Sequence, residues 1–402
     1  MKKIVFMLSS MNMGGTEKAL LSMLGAMDLK KYEVTIYLLE KKGELLTKIP
    51  KEVKVIEIEG YSSVKKYIHE SIYTNVKDEL KDKKYIQALN LASKYSVGKI
   101  ENNIFSYYDY ISKNIVINDG EYDIAVAYQG PMNYITYLVE KKVKAKKKVA
   151  WIHFDIERMG YTRKMASELY NEIDKIFVVS QYAKEKFIKE FPKLKNKTEV
   201  MLNVVPVSEI LEKGKTLKSP YESGEDIKIL TIGRISNQKG QDIIPEIVRK
   251  LKNSKINLKW YLIGNIEKCD AEDPFTILEN EIQKYGLEDE IKYLGVKENP
   301  YEWIEYCDIY VQPSRYEGYC TTTNEAKIFC KPIITTDVSG ADEQFENNET
   351  GIIVAFDEEQ IFQAIKKLVE DSELRGKLCT NLKREIENQE SDCTDIQRFL
   401  DL

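Results

Sequence analysis

Residues 308–336 of the chain read DIYVQPSRYEGYCTTTNEAKIFCKPIITT, and this stretch decides the fold class. An apolar run at 308–314 leads through a polar turn into a segment with helical periodicity at 321–330, and a β-branched run follows at 332–336. A strand, a helix and a strand in so short a stretch form a crossover unit, which joins two parallel strands of one sheet. We therefore expect a parallel sheet covered by helices.

The same alternation runs through the whole chain. The strand-like runs are KIVFMLS, EVTIYLL, VKVIEI, YDIAVAY, KKVAWIH, KIFVVS and TEVML in the first half, and IKILTIG, LKWYLIG, IKYLG, DIYVQPS, PIITT and GIIVAF in the second. Segments with helical periodicity separate them. The sequence predicts the α/β class, with two Rossmann-like domains whose parallel sheets face each other across a cleft.

The length of 402 residues fits two domains of about 200 residues each. We place the first domain at 1–205 and the second at 226–385, with the polar segment 206–225 as their linker. Residues 61–118 are rich in Lys and Tyr, lack a clear strand and are interpreted as a helical insertion in the first domain. Residues 386–402 are expected to form a helix that packs back on the first domain.

Composition excludes several classes of protein. The chain is 43% apolar and 31% charged, and no apolar run reaches the roughly 18 residues of a membrane-spanning helix. The start MKKIVFMLSS briefly imitates a signal peptide, but Asn12 and a glycine pair follow instead of a cleavage site. The six cysteines form no CxxC pair and there are two histidines, so neither a disulfide framework nor a zinc site is indicated. We expect a cytoplasmic protein that binds no metal.

Charge is divided unevenly, with a net charge of +9 on residues 1–205 and −14 on residues 206–402. A basic half indicates a face that meets an anionic partner. Residues 141–148 contain one lysine cluster, and lysines alternate with tyrosines in the insertion. The insertion residues are Lys65, Lys66, Lys81, Lys83, Lys84, Tyr61, Tyr67, Tyr73 and Tyr85. The alternative is an ordinary solvated surface. We expect docking on an anionic membrane surface at the inner face of the cell membrane and no nucleic-acid partner.

Two carboxylates seven residues apart, Glu317 and Glu325, flank the start of the helix in the opening stretch. Glu317 is expected in the turn between strand and helix, and Glu325 on the first turn of the helix. The free amides between them form an anion site suited to a diphosphate, and the carboxylates can accept hydrogen bonds from sugar and ribose hydroxyls. The alternative is a capping box, Thr322-x-x-Glu325, which needs no ligand.

A second motif follows the strand IKILTIG and reads Gly-Arg-Ile-Ser-Asn-Gln-Lys-Gly at 233–240. Arg234 and Lys239 can both reach one diphosphate, and the flanking glycines allow a close approach of the backbone. Only 8 of the 60 cationic residues are arginines, so an arginine at this place is informative. The alternative is a solvated basic loop.

Two weaker signals lie in the first half. Gly14 and Gly15 follow the first strand in a turn that lacks the full GxGxxG spacing but lets a sugar or phosphate approach a helix N-terminus. A plain tight turn is the alternative. His153 ends the run KKVAWIH, at the sheet edge where ligands bind, although a histidine in such a place is often structural.

These four motifs, in this order, resemble family 4 of the retaining glycosyltransferases, which have the GT-B fold. The resemblance is strongest over residues 227–354 and looser before residue 205. It implies an acceptor-side first domain and a second domain that binds the nucleotide sugar. It also implies that Arg234 and Lys239 hold the donor diphosphate, that Glu325 binds the ribose and that Glu317 binds the transferred sugar. The remaining residues implied to line the donor and acceptor sites are Gly14, Gly15, His153, Gly264, Gly295, Val296, Lys297, Tyr319, Cys320 and Thr321.

The family's chemistry is the transfer of a sugar with retained anomeric configuration and an oxocarbenium-like transition state. Arg234, Lys239 and the helix amides would stabilise the charge that grows on the leaving diphosphate. The chain departs from the family at Cys320, where a glycine is common, and at Thr321–Thr323, where apolar residues are common. No Asp-x-Asp motif stands in a suitable loop, which agrees with a family that needs no metal cofactor.

The resemblance implies a bacterial, polysaccharide-type enzyme that uses a UDP-sugar and a saccharide or lipid-linked saccharide acceptor. Two alternatives stay open. One is a nucleotide-sugar epimerase or a phosphorylase of the same fold, and the other is a scaffold protein that binds nucleotide sugars without catalysis. An epimerase would convert the donor without any acceptor.

Overall fold

The computed structural model describes residues 1–101, 104–117, 120–131, 133–153, 156, 163–216, 218–267, 273–317, 319–389 and 394–402. These residues form two compact units. The first unit contains Met1–Val204 together with the C-terminal segment, and the second unit begins at Val205. Within the described ranges, no helix combines the length and the apolar character needed to cross a membrane.

A parallel sheet forms the centre of the first unit. Its strands are β1 (Lys2–Leu8), β2 (Tyr32–Leu38), β3 (Lys54–Glu57), β4 (Tyr122–Gly130), β5 (Ala145–Ile152), β6 (Lys175–Val178) and β7 (Thr198–Val200). They lie in the order β3-β2-β1-β4-β5-β6-β7, and every pair is parallel. Five consecutive residues of β1, from Ile4 to Leu8, are buried, as expected for a strand covered by helices on both faces.

Helices cover both faces of this sheet. They are α1 (Gly15–Ala26), α2 (Tyr61–His69), α3 (Ile72–Lys81), α4 (Tyr85–Ile100), α5 (Phe105–Ile111), α6 (Asn133–Lys142), α7 (Arg163–Glu172) and α8 (Gln181–Glu190). Four of them, α2 to α5, follow one another between β3 and β4, in the stretch that the sequence marks as a helical insertion.

A buried carboxylate holds the insertion helices together. Glu79 of α3 is fully buried, and it accepts hydrogen bonds from Lys66 Nζ at 2.6 Å and from the Tyr67 hydroxyl at 2.5 Å. Burial alone would raise the pKa of Glu79, but these donors and the charge of Lys84 outweigh it and lower the pKa. The carboxylate is therefore charged and ties α2 to α3.

The second unit repeats the architecture. Its strands are β8 (Ile227–Ile232), β9 (Leu258–Ile263), β10 (Ile291–Tyr293), β11 (Ile309–Gln312), β12 (Ile333–Thr336) and β13 (Ile352–Val354). They form a parallel sheet in the order β10-β9-β8-β11-β12-β13. Its helices are α9 (Val207–Gly214), α10 (Ile244–Asn253), α11 (Pro274–Tyr285), α12 (Tyr301–Tyr306), α13 (Thr321–Ile328), α14 (Ala341–Gln344), α15 (Glu358–Glu370) and α16 (Ser372–Gln389).

Both sheets have the strand order of a Rossmann fold, in which the third, second and first strands are followed by the fourth and fifth. The order reverses between β1 and β4 in the first sheet and between β8 and β11 in the second. At such a point the helices after the two strands leave on opposite faces, so a crevice opens at the carboxyl ends. The prediction of two Rossmann-like parallel sheets is confirmed, and every predicted strand is present.

Part of the predicted linker, 206–225, is structured and belongs to the second unit. It contains α9, whose Ile210 is buried, and Tyr221, whose hydroxyl donates to the Trp303 carbonyl at 2.7 Å. Val207, Ile210 and Leu211 are spaced as one apolar helix stripe within an otherwise polar segment, and that stripe packs on the second unit.

The C-terminal helix α17 (Thr394–Leu400) belongs to the first unit. Its Phe399 is fully buried, with its ring centroid 5.7 Å from Trp151, 5.9 Å from Phe6 and 6.2 Å from Phe177. These three residues come from β5, β1 and β6. The last turn of the chain thus fills a gap in the core beneath the first sheet.

Candidate active site

In the second unit, two loops meet at the point where the strand order reverses. One follows β8 and runs from Gly233 to Gly240, and the other follows β11 and runs from Pro313 to Glu317. Gly240 has φ +69°, and a Cβ there would lie 2.0 Å from the Pro313 carbonyl oxygen. Only glycine permits both the left-handed backbone and this approach. The glycine that closes the basic motif therefore brings the two loops together.

Arg315 ties the same two loops with a set of hydrogen bonds. Its guanidinium donates to Asp242 through both terminal nitrogens, at 2.7 and 2.6 Å, and to the Asn237 carbonyl at 2.7 Å. Its backbone amide donates to the Gln238 carbonyl at 2.8 Å. The two parallel hydrogen bonds fix both the orientation and the distance of the guanidinium relative to the Asp242 carboxylate. The sequence motifs do not include Arg315, although the rarity of arginine in this chain is a signal that points to it.

Lys239 and Glu317 lie in contact between these loops. Lys239 Nζ donates to Glu317 Oε1 at 2.6 Å, and the Ser314 hydroxyl donates to the same oxygen at 2.6 Å. The side chains are 16% and 7% exposed. Burial alone would lower the pKa of Lys239, but the charge of Glu317 and its hydrogen bond raise it above the ordinary value. The lysine is therefore a charged donor held at the mouth of the crevice.

Arg234 lies near this pair without touching Glu317. Its guanidinium is partly exposed and lies 3.0 Å from Glu267 Oε1. Its positive charge is close enough to lower the pKa of Lys239, against the larger effect of Glu317. The two cations predicted to share a diphosphate thus stand on one loop, where their like charges repel each other and each also pairs with a carboxylate. An anion that bound both of them would reduce that repulsion.

Helix α13 begins directly after the second loop, with Cys320 as its N-cap and Thr321 as its first residue. Cys320 is buried, and this burial raises the pKa of its thiol. Its Sγ lies 3.4 Å from Thr322 Oγ1, and the Thr323 hydroxyl donates to its carbonyl at 2.9 Å. Tyr319 precedes it, with its pKa raised to about 12 by burial. Because the side chains of Cys320 and Tyr319 are neutral, they do not cancel the partial positive charge of the first backbone amides of α13.

The predicted position of Glu325 and the alternative of a capping box are both wrong for this helix. Glu325 is the fifth residue of α13, which places it on the second turn and not the first. Thr322 lies inside the helix instead of at its N-cap, and its hydroxyl donates to Gln312 Oε1 at 3.2 Å, so there is no capping box. The reason is that the extended backbone required of an N-cap is found at Cys320.

Glu325 has its own partner. The Tyr301 hydroxyl donates to Glu325 Oε1 at 3.1 Å, and Glu325 is buried while Tyr301 is partly buried. Burial, followed by the charge of Glu325, raises the pKa of Tyr301, so its hydroxyl stays a donor. The carboxylate is thus oriented from a neighbouring helix, α12, and not by the cap of its own helix.

The predicted base-side residues follow the strands on the other side of β8. Gly264 has φ +154°, and a Cβ there would lie 2.0 Å from the Gly233 carbonyl oxygen. Its amide donates to the Gly295 carbonyl at 3.0 Å, and its carbonyl accepts from the Tyr293 hydroxyl at 2.8 Å. Val296 comes next and is half exposed. Gly264 and Val296 therefore lie along the same carboxyl edge as the basic loop.

In the first unit, Gly14 and Gly15 form the turn between β1 and α1. A Cβ at Gly14 would lie 2.3 Å from Glu17 Oε2, because the carboxylate folds back over the turn. Gln129 Nε2 donates to the other oxygen of Glu17 at 3.3 Å, and the Ser9 hydroxyl donates to Gln129 Oε1 at 2.6 Å. Glu17 is buried. Glu17 is not among the residues that the resemblance implies, although it follows Gly15 by only two positions.

His153 lies one residue beyond the end of β5 and is buried against the ring of Tyr128, 4.7 Å away. Burial lowers the pKa of His153 to about 3, against the opposing effect of a hydrogen bond to the Tyr128 backbone. The imidazole is therefore neutral. Its Nε2 is buried and has no hydrogen-bond partner among the described residues. A neutral ring that donates to a backbone carbonyl through one nitrogen presents the other as an acceptor.

The predicted site residues thus divide into two sets, one at the carboxyl edge of each sheet. Gly14, Gly15 and His153 belong to the first. The second set is Arg234, Lys239, Gly264, Val296, Glu317, Tyr319, Cys320, Thr321 and Glu325. Among the described residues, no group of three or more His, Cys, Asp or Glu side chains is arranged to hold a metal ion.

The chain is similar to known proteins in sequence and in fold. Residues 213–385 match the family model described as glycosyl transferases group 1. A Campylobacter jejuni protein named N-acetylgalactosamine-N,N'-diacetylbacillosaminyl-diphospho-undecaprenol 4-alpha-N-acetylgalactosaminyltransferase is 27% identical over 52% of the chain and 55% of its own length. The chain spans about half the length of the first curated relatives it matches.

A second C. jejuni protein matches at greater length. It is named GalNAc-alpha-(1->4)-GalNAc-alpha-(1->3)-diNAcBac-PP-undecaprenol alpha-1,4-N-acetyl-D-galactosaminyltransferase, and it is 24% identical over 96% of the chain and 93% of its own length. Among solved structures, Anabaena Alr3699/HepE in complex with UDP superposes with a TM-score of 0.71 at 16% identity, covering 100% of the chain and 99% of that protein. The structural likeness shows the shared fold of two Rossmann-like units.

Proposed function

We propose that the protein is a retaining glycosyltransferase of polysaccharide assembly that transfers a sugar from a UDP-sugar to a saccharide or lipid-linked saccharide acceptor. The observation that carries the proposal is the Lys239–Glu317 contact at the reversal point of the second sheet, because it places a charged donor and a charged acceptor at the mouth of one crevice. The group 1 match covers this entire region, and the named relatives are glycosyltransferases.

Each part of the second-unit site has a role in holding the donor. Lys239 and Arg234 bind the diphosphate together with the first amides of α13, where the helix dipole favours an anion. Glu317 keeps one oxygen on Lys239 and accepts a hydrogen bond from a hydroxyl of the transferred sugar with the other. Glu325, oriented by Tyr301, accepts from the ribose hydroxyls.

The reaction breaks the bond between the anomeric carbon and the diphosphate oxygen and forms a bond from that carbon to the acceptor oxygen. The acceptor attacks from the face that the diphosphate leaves, and its hydroxyl proton passes to a phosphate oxygen. Negative charge grows on the leaving group as the sugar becomes oxocarbenium-like. Lys239 and Arg234 stabilise that charge more strongly in the transition state than in the ground state.

The reaction needs no divalent cation in this proposal, because these two side chains supply positive charge to the diphosphate. Activity should therefore persist in excess EDTA. Loss of activity in EDTA with recovery on adding manganese or magnesium would contradict this part of the proposal.

We assign the acceptor saccharide to the carboxyl edge of the sheet in the first unit. Gly14 and Gly15 have no side chains of their own, and the Glu17 carboxylate, which accepts a hydrogen bond from Gln129, folds back over the turn. His153 accepts a hydrogen bond from a sugar hydroxyl through its unpartnered Nε2. The imidazole is neutral at physiological pH, so it acts as an acceptor and not as an acid.

The acceptor is proposed to be a lipid-linked saccharide. Support comes from the two C. jejuni relatives, whose names specify saccharides on undecaprenyl diphosphate. The UDP preference rests on the family resemblance and on the HepE structure, whose ligand is UDP.

A two-stage experiment tests the proposal. A thermal-shift screen of nucleotide sugars comes first, because a ligand that binds only the folded state raises the melting temperature. The stabilising donor is then incubated with and without saccharide-diphosphate-lipid acceptors, and products are followed by mass spectrometry. Sugar transfer only when acceptor is present, with an α linkage from an α donor, supports the proposal. Conversion of the donor alone indicates an epimerase, and binding without any turnover indicates a scaffold.

A further inference from the structure

Exposed apolar side chains concentrate in one part of the molecule. Among the described residues, twelve large hydrophobic side chains are exposed, and eight of them lie between residues 73 and 116. Seven belong to α3 and α4, and the most exposed are Ile86 at 79% exposure, Leu89 at 70% and Ile100 at 85%. Scattered exposed apolar residues are normal, but a cluster on one element indicates a binding surface.

The exposed residues of α4 share one face. Ile86, Leu89, Val97 and Ile100 are separated by three, eight and three positions, which places them on one side of a helix with 3.6 residues per turn. We call these four residues the outer α4 face. Helix α4 is the longest helix of the insertion, at 16 residues. At about 1.5 Å per residue, the outer α4 face extends over roughly 20 Å.

The opposite face of α4 already packs on the first unit. Ala88 and Leu91 are buried there, and the ring of Tyr95 lies 5.5 Å from that of Tyr107. Helix α4 is therefore apolar on two faces, and only the face with Ala88, Leu91 and Tyr95 packs against the rest of the first unit. A helix that needed only to cover the insertion would have a polar outer face.

Charge around the outer α4 face indicates which partner covers it. No Asp or Glu occurs from residue 85 to residue 100, whereas Lys94 and Lys99 are exposed on the helix and Lys83 precedes it. The acids at the two ends are Asp82, which pairs with Lys84 at 3.3 Å, and Glu101. A second copy of this face would bring lysine against lysine. Anionic lipid headgroups would meet those lysines with opposite charge while the aliphatic side chains enter the acyl boundary.

The lysines and tyrosines singled out in the sequence coincide with this surface only in part. Lys65 pairs with Glu40 at 2.8 Å and Lys66 with Glu79 at 2.6 Å, while Tyr61 is buried. Of the four tyrosines, Tyr73 and Tyr85 are exposed. Four of the five lysines, Lys65, Lys66, Lys81 and Lys84, thus pair with carboxylates. Lys83 is exposed just before α4.

We infer that the outer α4 face, with Tyr73 and Leu80 of α3 beside it, lies flat in the headgroup layer of an anionic membrane. Its aliphatic side chains enter the lipid and its lysines stay at the level of the headgroups. The docking does not depend on the proposed chemistry, because it needs neither donor nor acceptor. It would hold the first unit at the surface where a lipid-linked saccharide resides.

Co-sedimentation with vesicles tests the inference. The full chain is mixed with vesicles of phosphatidylcholine alone or with one third phosphatidylglycerol, in low and in high salt. Binding should appear with the anionic vesicles and should persist in part at high salt, where a purely electrostatic attraction is screened beyond about 3 Å at 1 M. The double variant Ile86→Glu/Leu89→Glu should bind at least about tenfold more weakly, since two aliphatic side chains no longer enter the lipid.

The matched control is Val116→Glu, which adds a charge at an exposed apolar residue of the same unit outside α3 and α4. It should bind vesicles as the wild type does. Because Ile86 and Leu89 are exposed, the double variant should also keep the wild-type melting temperature. Equal vesicle binding by the wild type and the folded double variant would overturn the inference, and so would the absence of binding to both lipids at low salt.

A fluorescent reporter locates the contact independently. The three tryptophans, Trp151, Trp260 and Trp303, all lie outside the insertion, so Leu89→Trp adds a probe on the outer α4 face. Its emission should shift to the blue with anionic vesicles and be quenched by brominated acyl chains. An unshifted emission, together with a dimer in light scattering that Ile86→Glu/Leu89→Glu dissociates, would assign the face to a second copy of the chain instead.

Discussion

Lys239 Nζ and Glu317 Oε1 lie 2.6 Å apart and neutralise each other in the protein without ligand. The lysine has further N–H groups and the carboxylate has a second oxygen, so each can take a second partner. Under the proposed function, these partners are the diphosphate and the transferred sugar, which lie at the two ends of the bond that breaks.

Lys239→Ala and Arg234→Ala should each lower kcat/KM by about 100-fold or more, as expected for loss of a donor to a charge that develops in the transition state. Lys252→Ala is the control, because Lys252 is a surface lysine of the same unit that pairs with Glu290. Steady-state kinetics with saturating acceptor measure the effect. Near-wild-type turnover in both site variants would contradict the assignment.

Glu325→Gln should weaken UDP binding about 10- to 100-fold, because ribose hydroxyls lose a charged acceptor. The melting temperature should change little, since glutamine can still accept from Tyr301. Isothermal titration calorimetry and thermal unfolding give the two quantities. If UDP affinity is unchanged and only the melting temperature falls, Glu325 is a structural residue.

Arg315→Lys should lower kcat about tenfold with a small change in KM, because a lysine cannot reproduce the bidentate contact with Asp242 that holds Lys239 in place. Arg249→Lys is a matched control, since Arg249 makes a similar two-point contact with Glu246 on α10. We expect its kcat to be unchanged. A drop in melting temperature without a drop in kcat for Arg315→Lys would argue against a positioning role.

Protonation of His153 should destabilise the protein at low pH. The ordinary histidine pKa is 6.5, and burial lowers the pKa of His153 to about 3. Above pH 6.5 the His153 ring is neutral in both the folded and the unfolded protein, so it does not change the free energy of unfolding. As pH falls below 6.5, the unfolded chain gains a proton that the folded chain cannot accept, and stability decreases until about pH 3.

The variant His153→Gln removes this pH dependence. The unfolding free energy of the wild type relative to His153→Gln should fall by about 2–3 kcal/mol between about pH 7.5 and about pH 4.5. Urea unfolding at the two pH values measures it, and the higher pH serves as the reference. Parallel pH profiles for the two proteins would show that His153 is protonated in the folded state.

Much of the architecture could be predicted because each strand is a short apolar or alternating run and these runs alternate with segments of helical periodicity. The residues at strand ends could also be predicted, since the carboxyl edge of a parallel sheet brings them together. Lys239 and Glu317 are 78 positions apart in sequence, yet both follow strands that are neighbours in the sheet.

Other features depend on contacts that no local pattern contains. The start of α13 could not be read from three consecutive threonines, because Thr321, Thr322 and Thr323 are equally good caps by residue type. The role of Arg315 depends on Asp242, which is distant in sequence. The pairing of Lys66 with buried Glu79 likewise hid which part of the insertion is charged at its surface.

Phe399→Ala should lower the unfolding free energy by about 3–5 kcal/mol, the usual cost of removing a buried aromatic ring. The loss should be confined to the first unit. Hydrogen exchange should therefore accelerate in β1 and β5, which contribute Phe6 and Trp151, and stay unchanged in β8 and β9. Leu402→Ala, at a partly exposed position, is the control. Equal acceleration in both units would show that α17 does not act locally.

The position of Phe399 also implies an order in which the two units fold during synthesis. The groove formed by Phe6, Trp151 and Phe177 is complete once the first half of the chain has left the ribosome, but its occupant is made about 200 residues later. At translation speeds of about 5–20 residues per second, the nascent first half waits roughly 10–40 s with that groove uncovered. The second unit, being continuous in sequence, can finish folding within that interval. The half of the protein that is made first is therefore the last to mature, and it is the half that a chaperone would be expected to shield.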